Sequence, residues 1–169
     1  MNILLVDGYN IIGDWDELKR LRDKDMAQAR DLLIERMAEY QAYTGTKVII
    51  VFDAYEIPGK ETKLKKFKVE VIFTKENETA DERIERLIKK LKNVKTQVYV
   101  ATSDYTEQRT IFAQGALRIS ARELKMELED MENEIVTHLH EQQKQQPQTK
   151  IVLDEDILER FEKLRRGEN

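Results

Sequence analysis

The sequence predicts an α/β fold: a mainly parallel sheet of at least four strands, followed by a helical C-terminal extension. Three observations carry this reading. Short apolar runs alternate with helical stripes over the first hundred residues, and the pattern after Asp104 reads as wholly helical. The 169 residues are 40% hydrophobic, enough for one buried core without staples. The chain has no Cys, which removes disulfides, thiolate metal sites and thiol catalysis together, and fits a reducing compartment.

Taken in order, the first strand is Ile3-Leu4-Leu5-Val6, running into Asp7, and the second is Val48-Ile49-Ile50-Val51-Phe52. Both are continuous and rich in branched residues, as strands buried on two faces require. Between them Met26, Ala29, Leu33, Met37 and Tyr40 recur at helical steps, with Gly45 as the stop. Val69–Phe73 gives a third strand. Thr79-Ala80-Asp81-Glu82 is a capping-box pattern that opens a helix striped by Ile84, Leu87, Ile88 and Leu91. Val98–Ala101 is the fourth strand.

Beyond it, Tyr105–Ala113 reads as a short helix ended near Gly115. Ser120-Ala121-Arg122-Glu123, a second capping box, opens a long one whose stripe is Leu117, Ala121, Leu124, Leu128, Met131 and Ile135. A helix docked on the sheet explains that stripe; a coiled-coil partner surface is the alternative. Gln142–Lys150 is Gln-rich and broken by Pro147, and Asp154 opens a last helix with Ile157, Leu158, Phe161 and Leu164. The expected organisation is one domain over residues 1–146, including the long helix, with 147–169 a loop and short terminal helix packed on or near it. Met1 leads directly into the first strand without a basic leader, and no apolar stretch approaches ~18 residues. No membrane span and a cytoplasmic location are expected.

In an open α/β sheet, ligands bind beyond the carboxyl ends of the strands. Three of the four strands run into an aspartate there: Asp7, Asp53 and, after Thr102-Ser103, Asp104. Asp81 starts the helix after the third strand, and Asn10 shares the loop of Asp7. Any one such Asp is ordinarily a helix cap or turn residue. Four at one edge repel one another unless a cation neutralises them. Oxygen donors without Cys or a nearby His suit Mg²⁺ or Mn²⁺ rather than zinc. The only histidines, His138 and His140, lie far down the long helix and two apart, on different faces. No G-x-S-x-G, P-loop or G-x-G-x-x-G occurs. Elimination leaves metal-assisted attack of water on a phosphate ester.

With 29 Lys+Arg against 33 Asp+Glu, the net charge is −4, so attraction to a polyanion has to be local. Positive charge concentrates at Lys60, Lys63, Lys65, Lys66 and Lys68, on a segment read as a connection between the second and third strands and placed next to the acidic edge. A solvated lysine loop is the bland alternative. Tyr9 and Tyr105 follow strand ends and are candidates to stack on bases, whereas Trp15 reads as core.

Three segments together resemble a known family. Ile3-Leu4-Leu5-Val6-Asp7-Gly8-Tyr9-Asn10 resembles the opening signature of NYN-domain nucleases, relatives of the PIN domain. Glu76–Ile84 and Ala101–Gln108 resemble its YacP-type branch, whose members are ribosome-associated endoribonucleases. The resemblance covers nearly the whole chain and is weakest in the last thirty or so residues. It implies a PIN-like three-layer fold, divalent-metal-dependent endonucleolytic cleavage of RNA, and a link to mRNA on translating ribosomes. Carried over, the catalytic and metal-binding acids are Asp7, Asp81 and Asp104, with Asn10, Asp53 and Glu82 as auxiliaries. A further acid is expected about one helical turn beyond the last one; here Gln108 stands at the four-residue step and Glu107 at the three-residue step, leaving Glu107 as the candidate.

Two other readings compete with a metal-dependent endoribonuclease. A phosphorelay receiver also begins with an apolar strand ending in acid and carries an acceptor Asp near position 53. It needs two adjacent acids after the first strand, where Asp7 is followed by Gly8, and a lysine after a fifth strand, where this sequence reads as helical. A catalytically silent RNA- or ribosome-binding module would keep the fold alone, and the presence of all three core acids counts against it.

Overall fold

The structure, a computed structural model, describes residues 1–54 and 62–145, with Arg160, Lys163 and 165–167 near the C-terminus. Of the Gln-rich stretch, expected as a loop, residues 142–145 are helical and 146–150 lie outside the described residues, as do most of the terminal helix expected from Asp154 and Lys60. The elements run β1 (Asn2–Asp7), α1 (Gly8–Asp14), α2 (Asp16–Lys24), α3 (Met26–Thr44), β2 (Lys47–Phe52), β3 (Thr62–Lys66), β4 (Val69–Phe73), α4 (Ala80–Leu91), β5 (Gln97–Ala101), a 3₁₀ turn (Tyr105–Glu107), α5 (Gln108–Ala113), β6 (Leu117–Ile119) and α6 (Ala121–Gln145). Two compact units result, Met1–Glu129 and Asp130–Asn169.

One six-stranded sheet carries the first unit, in the order β3-β4-β2-β1-β5-β6. Five strands are mutually parallel, and β3 runs antiparallel along the β4 edge. The four apolar runs of the sequence are β1, β2, β4 and β5. On one face Ile3, Leu5, Ile49, Val51, Val98 and Val100 bury against Ile84 and Ile88 of α4 and Ile111 of α5. Residues that alternate with these point to the other face, where α1 and α3 contact β2. This is a three-layer arrangement. Caps follow the sequence: Asp25 accepts from Ala27 N–H at the start of α3, Gly45 ends it in the left-handed region at φ 73°, and Thr79 Oγ1 accepts from Glu82 N–H at the start of α4. Ser120 and Glu123 bond reciprocally before α6.

Two expectations are corrected. Leu117 is not part of the α6 stripe, and the chain after Asp104 is not wholly helical: Leu117–Ile119 forms a strand parallel to β5. With hydrophobic side chains at only two of three positions, it is too short to show a period. A fifth parallel strand therefore does follow Asp104, but it leads into Ser120-Ala121, not a lysine.

The lysine-rich segment is not a simple connection either, because Thr62–Lys66 pairs with β4. Thr62 stands opposite Phe73, at the carboxyl edge of the parallel strands, and Lys66 stands opposite Val69. Phe67 and Lys68, both at positive φ (53° and 68°), make the hairpin turn at the opposite edge. Gln41 Nε2 donates to the Lys68 carbonyl there. Lys68 is thus about 16 Å of strand away from the acidic edge.

Within the first unit Trp15 is core, its Nε1 donating to the Ala121 carbonyl at 2.8 Å, and Tyr40 bonds Glu127. Burial and the Glu127 carboxylate push the Tyr40 hydroxyl well above its ordinary range. Among the described residues no helix is long and apolar enough to cross a membrane.

Candidate active site

Parallel register brings the ends of β2, β1 and β5 to one edge: Asp7 pairs with Val51, and Val6 with Ala101. Asp53 follows β2, Asp104 follows β5, and Asp81 is the second residue of α4, so all four acids meet where parallel strands finish. Asp7 is half-buried, and its carboxyl is pushed from 3.8 up to about 7. Burial is the main cause, followed by the charge of Asp81; Asp53 and Asp104 add to it, while the Asn10 backbone N–H pulls the other way. Glu107 is pushed up further, from 4.5 to about 9, by burial first, then by a hydrogen bond with Asp81 and the charges of Asp81, Asp104 and Asp7. Protonated Glu107 donates to Asp81, as a carboxylic acid among carboxylates should.

The 3₁₀ turn explains why Glu107 is the partner. Residues three apart eclipse in a 3₁₀ helix, so Glu107 falls on the Asp104 side of the turn, within reach of its charge, while Gln108 is exposed. Asp104 also caps its own turn, accepting from Thr106 N–H at 3.0 Å and from the Thr106 hydroxyl. Asn10 Oδ1 accepts from Ser103 N–H, tying the loop after β1 to the loop before Asp104. Asp53 Oδ2 accepts from Ala80 N–H at 3.4 Å, linking the end of β2 to the start of α4. These acids are caps and ties as well as a cluster. Asp7, Tyr9, Asn10, Asp53 and Asp81, with Thr79 and Ala80, line a cleft of about 410 Å³.

Several residues that shape this edge are not conspicuous in the sequence. A Cβ on Gly8 would lie 2.3 Å from Phe52 Cε1, so the ring occupies the space any other residue would need. Phe52 in turn stacks on Phe73 and meets the Tyr9 ring, centroids 4.9 Å apart. Arg30 Nη1 donates to the Tyr9 hydroxyl at 3.2 Å. Arg83, buried on the first turns of α4, donates to Glu78 Oε1 at 3.1 Å, and Arg86 pairs with the same carboxylate. Thr74 Oγ1 donates to the Glu78 carbonyl and accepts from Ala54 N–H. The segment that presents Asp81 is held from both sides.

Other candidates are not members of the acidic cluster. Glu82 is exposed. Tyr105 lines a separate groove with Thr106, Gln108, Arg109 and Phe112. Lys63, Lys65 and Lys66 belong to the edge strand β3, and Lys68 to the far turn. His138 and His140 are exposed on α6, His138 beside Gln142. Among the described residues no three Asp, Glu, His or Cys side chains are drawn together as a ready-made metal cage. The donors are nonetheless hard oxygens throughout, and Asp7 and Glu107, raised first by burial, are raised further by the charges of the acids around them, a repulsion that a divalent cation would relieve. The residues fit such a cation in kind.

Comparison with known proteins places this edge in context. Residues 4–166 match the model of the YacP-like NYN domain. The uncharacterized protein YacP of Bacillus subtilis (strain 168) is 57% identical over 168 residues, covering 99% of each chain. The crystal structure of Rae1 (YacP) from Bacillus subtilis superimposes with a TM-score of 0.74 at 57% identity, and that of a point mutant of the same protein with 0.76 at 55%; each comparison covers 99% of this chain and 96% of the other. Sequence match, parallel sheet and strand-end acids agree, and the chain belongs to the YacP-like NYN domain family, a family of PIN-like nuclease domains.

Proposed function

We propose that this protein is a divalent-metal-dependent endoribonuclease that hydrolyses RNA to a 5′-phosphate and a 3′-hydroxyl, acting in the cytoplasm on mRNA carried by ribosomes. The observation that carries the reading is the convergence of Asp7, Asp81, Asp104 and Glu107 at the carboxyl edge of the sheet, where the strand ends place them. Asp7, Asp81 and Asp104 would hold Mg²⁺ or Mn²⁺, with Glu107 as the further acid and Asp53 on the side of Asp7. When bound, the cation supplies activation of water and neutralisation of charge on the phosphate and the leaving oxygen.

The chain's own groups have separate tasks. Asn10 fixes the spacing between the Asp7 and Asp104 loops through its bond to Ser103 N–H. Glu107, kept in its acid form by burial and by its acidic neighbours, donates to Asp81 and holds that carboxylate in place; a cation in the cluster would favour its carboxylate form. Tyr9, steadied by Phe52 and Arg30, forms one wall of the cleft. Lysines 63, 65 and 66 on the β3 edge are the cations for RNA phosphates, with Lys60 and Lys68 extending the segment.

The test is incubation of the purified protein with a 5′-labelled mRNA, alone and on ribosomes, in EDTA, Mg²⁺ or Mn²⁺, followed by chemical analysis of the new ends. Cleavage that requires the cation, is lost in Asp81→Asn and leaves 5′-phosphates supports the proposal. Cleavage undiminished in EDTA, or 2′,3′-cyclic phosphate ends, would overturn it.

A further inference from the structure

We propose that the groove formed by Tyr105, Gln108, Arg109 and Phe112 seats one unpaired nucleobase of the substrate beside the carboxylates. The inference rests on the ribonuclease reading of the acidic edge and adds to it a seat for a base outside that edge.

Four observations support it. Tyr105 and Phe112 are 73% and 70% exposed, two large aromatic rings on one short stretch of surface. With Thr106, Gln108 and Arg109 they line a groove of about 470 Å³. Tyr105 is not loose: the Arg118 guanidinium carbon lies 5.6 Å from its ring centroid, and Arg118 is itself anchored by donating from Nε to the Thr102 carbonyl at 3.1 Å. A cation thus backs the ring, which still exposes most of its surface. Finally, Tyr105 follows Asp104 directly, so the two Cα atoms are about 3.8 Å apart. The groove and the acidic cluster are neighbours.

Exposed aromatic faces interleaved with arginines are how proteins hold single-stranded nucleic acid: the rings stack on bases, and the cations meet the backbone. Every base has a flat face, so this contact tolerates sequence. A duplex keeps its base faces stacked on one another and has none to offer. Gln108, one helical turn before Phe112, adds an amide able to bond a base edge.

The experiment measures binding by fluorescence anisotropy in an Asp81→Asn background with Mg²⁺, so that the probe survives. The probes are a fluorescein-labelled oligouridylate of about twelve nucleotides, within the usual range of single-strand sites, and an RNA duplex of equal length. Tyr105→Leu combined with Phe112→Leu should weaken single-strand binding roughly 5- to 150-fold and leave duplex binding unchanged. Tyr105→Phe combined with Phe112→Trp, which keeps both rings, should retain single-strand affinity. Arg109→Gln, which leaves both rings in place, should weaken single-strand binding and flatten its salt dependence.

Unchanged single-strand affinity in the leucine variant, with an unaltered circular dichroism spectrum, overturns the inference. Equal losses for single strand and duplex overturn it too. Cleavage by protein with Asp81 intact is scored separately. If the protein binds RNA through these rings but never cuts it, the nuclease reading fails while this inference stands.

Discussion

Replacing Asp7 with Asn should stabilise the metal-free protein, and by an amount that depends on pH. The Asp7 carboxyl has its pKa raised from 3.8 to about 7, with burial as the main cause. Between those two values the native state holds a proton that the unfolded state has lost, so stability falls as pH rises through the window and levels off above it. At about 1.36 kcal/mol per unit, the full penalty above pH 7 is roughly 4 kcal/mol. Relaxation of the loop and the shared repulsion with Asp81, Asp53 and Asp104 will reduce what a single substitution recovers. About half, roughly 2 kcal/mol, corresponds to a rise of about 4–8 °C in melting temperature for a chain of this size. Asn keeps an oxygen to accept the Asn10 N–H, and Asp7 makes no side-chain cap to lose. Glu107 is raised in part by the charge of Asp7, so the variant also relieves a smaller share of the Glu107 shift, in the same direction. The assay is thermal melting in EDTA from about pH 5 to pH 8.5. The advantage of Asp7→Asn should grow up to about pH 7 and then plateau, and added Mn²⁺ should raise the wild type at pH 8 far more than the variant. A pH-independent difference, or a variant less stable at pH 8, would refute the reasoning.

Three further outcomes are expected. Asp81→Asn should lower RNA cleavage by on the order of a hundredfold or more while leaving the metal-free melting temperature equal or higher, since it removes a repelling charge; wild-type cleavage at saturating Mg²⁺ would remove Asp81 from the site. Lys63, Lys65 and Lys66 changed together to Ala should weaken RNA binding and flatten its log–log salt slope by about 0.7 per lost single-strand contact. Lys68→Ala should matter less, because it sits at the opposite edge from the acids; co-sedimentation with ribosomes across a salt series reads both. Gly8→Ala should cost roughly 1–3 kcal/mol in urea denaturation by driving Cβ into the Phe52 ring, and a neutral result would mean that the ring moves freely.

The strands that the sequence makes legible are those buried on both faces, because continuous branched runs such as Val48–Phe52 have few other uses. Strand ends then locate Asp7, Asp53 and Asp104 without further information. What the sequence hides is of two kinds. Edge strands carry little hydrophobic signal: Thr62–Lys66 has one apolar residue among its lysines, and Leu117–Ile119 is too short for a period. Choices that turn on backbone geometry are the other kind. Glu107 stands at the three-residue step where the four-residue step is expected, and the 3₁₀ turn that accompanies its bond to Asp81 is not announced by the sequence. Gly8 likewise reads as a turn residue until the Phe52 ring is found where its side chain would be.

The position of β1 at the middle of the sheet has a consequence for the life of the chain. β1 is synthesised well before one of its two neighbours, β5, which begins only at Gln97, and the acids at their ends are separated by about a hundred residues. Such a high contact order makes the central pairing a late and slow event. Until β5 arrives, β1 offers an open apolar edge, and any fragment ending before Gln97 keeps that edge permanently, inviting aggregation. The same delay governs the acidic edge: Asp104 and Glu107 cannot join Asp7 before β5 has docked, so a nascent copy is without the full carboxylate cluster until then.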